Sequence, residues 1–259
     1  MTIARLPRLI APACLAVLLV AGCSKRSATP ADPAAPGAAV PTPVAPTTTA
    51  PPSLGDAPAY AALARGDTVI VRAQPGAGKP ADLIPPKLVW GTPTPFLVRE
   101  VRRVGGDLWY RVMLPKRPNE SSGWVRGDQV RTVPRQYRAK VDLSERRLSL
   151  YQGDQLVRTF PVGIGRPSTP TPAGRFFVTV RLRPPQVSTV YGAWALGLSG
   201  YSRVLAQFGT GDGQIALHGT SNPANLGHQV SNGCVRLDNA AVSMLAKLLE
   251  PGSPVDIAA

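Results

Sequence analysis

From residue 60 onward the chain is written in short runs of apolar and polar residues set off by turn formers. Thr68-Val69-Ile70-Val71 is rich in β-branched residues and is followed by the turn Ala73-Gln74-Pro75-Gly76. Phe96-Leu97-Val98 reads as a strand, Gly105-Gly106-Asp107 as a turn into Leu108-Trp109-Tyr110-Arg111-Val112, and Ser121-Ser122-Gly123-Trp124-Val125 closes the set. Close spacing of such runs predicts a small antiparallel barrel, with Trp109 and Trp124 in its core rather than serving as ligand platforms. A second β-rich stretch follows from Arg138. Lys140 to Leu143 and Arg147 to Tyr151 alternate, Gly153-Asp154 turns into Gln155 to Phe160, and Phe176 to Val180 is a further strand. Residues 185–213 read as a long irregular segment, a functional cover, that carries Trp194. One helix is predicted near the end, with Asp238 as N-cap, an apolar stripe of Val242, Leu245, Leu248 and Leu249, and Pro251-Gly252 as the stop. The predicted fold class is therefore mainly β: a small barrel, then a larger β-rich unit with one short C-terminal helix.

The first 59 residues follow different rules. Arg5 and Arg8 precede an apolar run from Leu9 to Ala21, which is too short for a comfortable permanent span and matches an export signal. Ser24 to Ala59 is built mainly of Ala, Pro and Thr, with nine prolines. A segment so poor in large apolar side chains cannot bury enough surface to fold. Extended at about 3.1 Å per residue, such a tether reaches on the order of 100 Å. The expected organisation is a signal over 1–22, a linker over 23–59, the small barrel over 60–135 and the second unit over 138–259.

The formal net charge of the 259-residue chain is +14. Residues 60–138 hold 14 Lys and Arg against 6 Asp and Glu, a difference of +8, and residues 139–259 hold 11 against 7, a difference of +4. An exported basic surface suits anionic wall polymers or lipid head groups, and export excludes nucleic acid as the partner. A generally basic, solvated surface explains the same numbers.

Of three cysteines, Cys14 lies inside the signal and Cys23 ends it, so Cys234 is the one thiol in the folded part. A lone thiol in an exported chain has no intramolecular disulfide partner and is a candidate reactive group. Sixteen positions before it, Ile215-Ala216-Leu217-His218-Gly219-Thr220 ends a strand on a histidine. A free thiol is only a few per cent thiolate at neutral pH, and a nearby imidazole is the base that would activate it. Gly233 lets the backbone turn tightly and aim amide N–H groups at a substrate oxygen. If the segment is extended, Arg236 points to the same face as Cys234 and is placed to bind a carboxylate. His228 reads as an exposed loop residue. The positions 218, 228 and 234 lack recognised zinc spacing, so no metal and no cofactor is expected.

Three resemblances organise these residues. Val20-Ala21-Gly22-Cys23 resembles the lipobox of bacterial lipoproteins, which implies lipidation of Cys23 and a membrane anchor facing the cell wall; an ordinary signal cleaved near Ala21 is the alternative. The Val71-Arg72-Ala73 opening with Pro75-Gly76, the Trp109 strand and Gly123-Trp124-Val125 resemble bacterial SH3-like wall-associated domains. His218-Gly219-Thr220, Ser231-Asn232-Gly233-Cys234-Val235-Arg236 and the upstream Thr169-Pro170-Thr171-Pro172-Ala173-Gly174 together resemble the L,D-transpeptidase (YkuD) family over roughly residues 138–259. The last resemblance implies a YkuD-type sandwich in which Cys234 is the nucleophile and His218 the proton donor and acceptor, oriented by a backbone carbonyl. It places Gly219, Ser231, Asn232, Gly233 and Arg236 in the oxyanion or substrate-binding surroundings. The implied reaction takes a tetrapeptide stem of peptidoglycan through a cysteine acyl-enzyme to a 3→3 cross-link, or to a tripeptide if water is the acceptor. A non-catalytic wall-binding lipoprotein is a further reading. Papain-like enzymes run cysteine before histidine, and sortases carry a threonine-rich strand that is absent here. One position departs from the family form: Asn232 stands where a histidine is common, and it can donate hydrogen bonds but not titrate.

Overall fold

The computed structural model describes residues 58–259 except 77, 186–189, 208 and 210. The expected signal, Cys23 and nearly all of the expected linker lie outside the described residues. Only the end of that linker is described, and it is not loop: Ala59 is the first residue of a strand.

The first part of the fold runs β1 (Ala59–Ala64), β2 (Val69–Val71), β3 (Asp82–Ile84), β4 (Pro95–Val104), β5 (Asp107–Met113), β6 (Ser122–Arg126) and β7 (Val130–Arg135). Five of these form one barrel-like antiparallel sheet in the order β6-β5-β4-β1-β7, and β2 pairs with β3. Phe96, Val112 and Val125 are completely buried in its core, and Trp109 and Trp124 are buried as well.

The second part runs β8 (Tyr137–Asp142), β9 (Arg147–Gln152), β10 (Gln155–Pro161), β11 (Ile164–Gly165), β12 (Gly174–Leu182), β13 (Ala195–Tyr201), β14 (Gln214–Gly219), β15 (Gln229–Ser231), β16 (Val235–Leu237), α1 (Asn239–Leu248) and β17 (Pro254–Ala258). Eight strands form one sheet in the order β10-β9-β8-β17-β12-β13-β14-β16, and β11 pairs with β15. On β9 the alternation works as expected, with Leu148 and Leu150 turned inward. In β12, Phe176 to Val180 are buried on both faces. Phe176 and Val178 enter the main core, while Phe177 packs with Leu97 and Met113 of the first sheet.

Helix α1 begins as expected, with the Asp238 carboxylate accepting from the Ala241 N–H at 2.8 Å. Ala241, Val242, Leu245 and Ala246 face the core.

One expectation is corrected. The segment 185–213 is not irregular throughout, because it contains β13, whose seven residues are all buried. Its sequence Ala-Leu-Gly-Leu-Ser-Gly-Tyr shows no alternation because both faces are covered. Its glycines leave room for neighbours: a Cβ on Gly200 would lie 2.7 Å from the Phe176 ring. After the stop at Pro251-Gly252 the chain returns as β17, which inserts between β8 and β12.

Candidate active site

The site is assembled on two neighbouring strands. β14 and β16 pair in parallel, with Leu217 opposite Val235 and His218 opposite Arg236. Cys234, just before β16, therefore sits level with Ala216, whose backbone N–H favours the ionised form of the thiol. Around Cys234 burial alternates with period two: Ser231, Gly233, Val235 and Leu237 are buried, while Asn232, Cys234 and Arg236 are partly exposed. Those three side chains and His218 line one cleft of about 710 Å³, the size of a small-molecule site. His218 is two positions along β14 from Ala216, the residue level with Cys234, and so lies diagonal to Cys234 on the same sheet face.

The imidazole is held by a single strong contact. His218 Nδ1 lies 2.6 Å from the Gly219 carbonyl oxygen, so that nitrogen carries the proton as donor and Nε2 keeps its lone pair. Tyr191 stands edge-on to the ring, with centroids 5.2 Å apart. Burial pushes the imidazole down to about 4; the Gly219 carbonyl opposes that shift, and Arg236 adds to it. Burial also pushes the Cys234 thiol up, while the Ala216 N–H and the Arg236 charge pull it back. Both groups are thus neutral at rest, the imidazole with a free lone pair on Nε2 and the thiol with its proton.

The turn that presents Cys234 has its own framework. Gly233 has φ +117°, a conformation that favours glycine. The Ser231 hydroxyl donates to the Cys234 carbonyl at 2.6 Å and accepts from the Gly233 N–H at 3.1 Å. Ser231 is thereby a brace of the turn, and the Gly233 amide is already engaged. Asn232 faces the cleft, with its Oδ1 3.5 Å from Thr169 Oγ1. The Thr169-to-Gly174 segment packs beneath this turn: Thr169 Oγ1 donates to the Ser231 carbonyl at 3.1 Å, and the Gly165 N–H donates to Thr171 Oγ1 at 2.9 Å. The two sequence motifs are physically one unit.

Arg236 faces the cleft with a buried Nε that has no hydrogen-bond partner among the described residues, while its backbone is pinned to Gly163 by bonds of 2.7 and 2.9 Å. His228 is exposed and outside the cleft; its carbonyl accepts from Ile164. Among the described residues no three His, Cys, Asp or Glu side chains are grouped to hold a metal.

One positioning residue escaped sequence reasoning. Asn239, the first residue of α1, accepts from the Ala193 N–H at 2.8 Å and donates to the Thr220 carbonyl at 3.2 Å. It packs so closely that a Cβ on Gly219 would lie 2.3 Å from its Oδ1, and one on Gly192 would lie 2.2 Å away. Asn239 thus clamps the residue whose carbonyl orients His218. In sequence it reads as an ordinary helix start, and only the tertiary approach of Gly192 and Gly219 reveals it.

Residues 136–257 match the model of the YkuD family, the L,D-transpeptidase catalytic domain. A Bacillus licheniformis protein named "Putative L,D-transpeptidase YkuD" is 36% identical over 126 residues, 49% of this chain and 67% of that relative. The protein of the same name from Bacillus subtilis is 32% identical over the same shares. The solved structure of Bdellovibrio bacteriovorus Bd1075 is 27% identical, with a TM-score of 0.39. That match covers 48% of this chain and 48% of that one, so this chain spans about half the length of that solved relative. The motif residues gathered at one cleft, the family match over the second sheet and a curated relative covered across two thirds of its length lead to one conclusion: the chain belongs to the L,D-transpeptidase (YkuD) family of enzymes.

Proposed function

We propose that this protein is a peptidoglycan L,D-transpeptidase that forms 3→3 cross-links through an acyl-enzyme on Cys234. The observation that carries the reading is the placement of His218 and Cys234 on adjoining strands at one cleft, with Nδ1 of the imidazole tied to the Gly219 carbonyl. That tie leaves Nε2 as the acceptor of the thiol proton. As the proton moves, Sγ attacks the carbonyl between the third and fourth residues of a tetrapeptide stem. The C–N bond breaks, and the departing D-amino acid takes its proton from His218. The acceptor amine of a second stem then attacks the thioester. Its N–H proton passes to Nε2 and on to Sγ as the C–S bond breaks. The amide of Cys234, beside the sulfur, serves the oxyanion of each tetrahedral step, and Arg236, with its unpartnered buried Nε, binds a substrate carboxylate.

The same chemistry with water as acceptor would make an L,D-carboxypeptidase. The cellular setting belongs to the proposal as well: an exported chain anchored through lipid on Cys23, with an SH3-like first domain whose basic surface rests on anionic wall polymers. Incubation with a disaccharide-tetrapeptide, read by mass spectrometry, tests the whole. A thioester adduct on Cys234 with 3→3 dimers is the expected result. Tripeptide alone would assign the carboxypeptidase activity, and neither adduct nor product would leave a wall-binding protein.

A further inference from the structure

The cleft around Cys234 has a wall that the chemistry above leaves without a role, and part of that wall comes from the first sheet. Of the charged side chains among its described lining residues, Arg183 and Arg236 are cationic and Asp212 alone is anionic. Asp212 is exposed, and its Oδ1 accepts from the Gln214 N–H at 3.2 Å. Among the described residues no Lys or Arg side chain stands within ion-pair distance of it. The segment that carries it is held from outside the second sheet. Arg117, from the loop between β5 and β6, donates to the carbonyls of Ser202, Leu205 and Asp212 at 2.8 to 3.0 Å, and it lies over the Tyr201 ring. Trp90 lines the same cleft from the turn between β3 and β4. That turn is closed by Leu88 N–H to the Thr92 carbonyl at 2.9 Å and by Gly91 N–H to the Leu88 carbonyl at 2.8 Å. The indole is presented with 63% of its surface exposed.

We infer that Asp212 and Trp90 form the subsite that receives the cationic amine of the acceptor stem. The inference rests on the transfer reading above and adds where the second substrate binds. Two substrates of opposite local charge must enter one cleft. The donor presents carboxylates, which the two arginines complement. The acceptor presents an alkylamine with an ordinary pKa of about 10.4, so it arrives as an ammonium and gives one proton to solvent before the free amine attacks the thioester. In a chain of net charge +14 that cation meets a repulsive field, and an unpaired carboxylate at the cleft is the local remedy. An exposed indole face attracts the same cation. Because both groups are open to water, each contributes modestly to binding.

The test separates the two half-reactions. The purified chain is acylated with a disaccharide-tetrapeptide in the presence of a tripeptide-stem muropeptide carrying a free side-chain amine. The rate of adduct formation on Cys234 is followed beside the ratio of cross-linked dimer to hydrolysed tripeptide. In Asp212→Asn that ratio falls about fourfold while the acylation rate is unchanged within error; Trp90→Ala lowers it about threefold, and Asp212→Glu keeps most of it. Raising the acceptor concentration recovers transfer in both weakened variants. An unchanged ratio in Asp212→Asn, or acylation lost in parallel with transfer, overturns the inference. Wild-type protein that acylates but never transfers to the amine overturns it too. Absence of any adduct on wild-type Cys234 removes the proposed function itself, a different failure.

Discussion

At His218 and Cys234, burial works against charge on both partners. The imidazole is held down to about 4 and the thiol is pushed up, so both groups rest neutral near pH 7. Alkylation of Cys234 by iodoacetamide is therefore expected to keep accelerating as pH rises past the ordinary thiol value of about 8.5. A rate plateau below pH 7 would mean a standing thiolate and contradict this picture. Cys234→Ala is expected to abolish turnover and leave the far-ultraviolet circular dichroism and the thermal midpoint nearly unchanged, because it removes a single sulfur from the wall of the cleft and no backbone contact. His218 also has a consequence for stability. Above pH 6.5 its folded and unfolded forms are both neutral. Between 6.5 and about 4 the unfolded chain takes the proton and the native one does not, so stability falls as pH falls, by up to about 3 kcal/mol. Urea midpoints at pH 7.5, 5.5 and 4 should show this loss in the wild type and a smaller one in His218→Gln; parallel losses would refute it.

Helix α1 and strands β13 and β14 carry the framework that keeps that imidazole aimed. Asn239 joins the helix start to Ala193 and Thr220 and presses on Gly219. Asn239→Ala is expected to cost about 1 kcal/mol, since it leaves a half-buried N–H and a carbonyl unpaired. It should lower kcat about tenfold with little change in KM, because Gly219 is freed to turn its carbonyl away from Nδ1. Equal losses in stability and activity, with the kcat-to-KM split absent, would make Asn239 merely structural. On β13, Gly200 stands against the Phe176 ring, so Gly200→Ala overpacks the core at about 1–3 kcal/mol, visible as a lowered thermal midpoint. The helix could be foreseen because its cap and stripe are local signals. β13 could not, since a strand covered on both faces and built of small residues carries no alternation.

The two sheets are coupled by packing and by hydrogen bonds across their boundary. Phe177 inserts between Leu97 and Met113. Asn119 exchanges two bonds with the Tyr201 backbone, at 2.8 and 2.9 Å, and buried Arg135 donates to the Pro251 carbonyl. Calorimetry of residues 58–259 is expected to show one cooperative transition. A fragment of 136–259 should unfold at lower temperature and bind a hydrophobic dye through its uncovered Phe177. Two separate transitions in the longer chain would show the sheets to be independent. This coupling lets a first-sheet loop hold the segment that carries Asp212.

Local order settled much of this protein in advance. The mainly β class, the helix with its Asp238 cap, and His218 and Cys234 as the residues to watch follow from period-two burial, turn chemistry and a lone thiol, each of which acts over a few neighbouring residues. The parallel pairing that sets Ala216 level with Cys234, the clamp of Asn239 on a side-chain-free Gly219, the bracing of the Cys234 turn by Thr169, and the burial that keeps both groups neutral were decided only by the tertiary structure. They depend on which distant segments approach within a few ångströms and on how much water that approach excludes, and no run of neighbouring residues encodes either quantity.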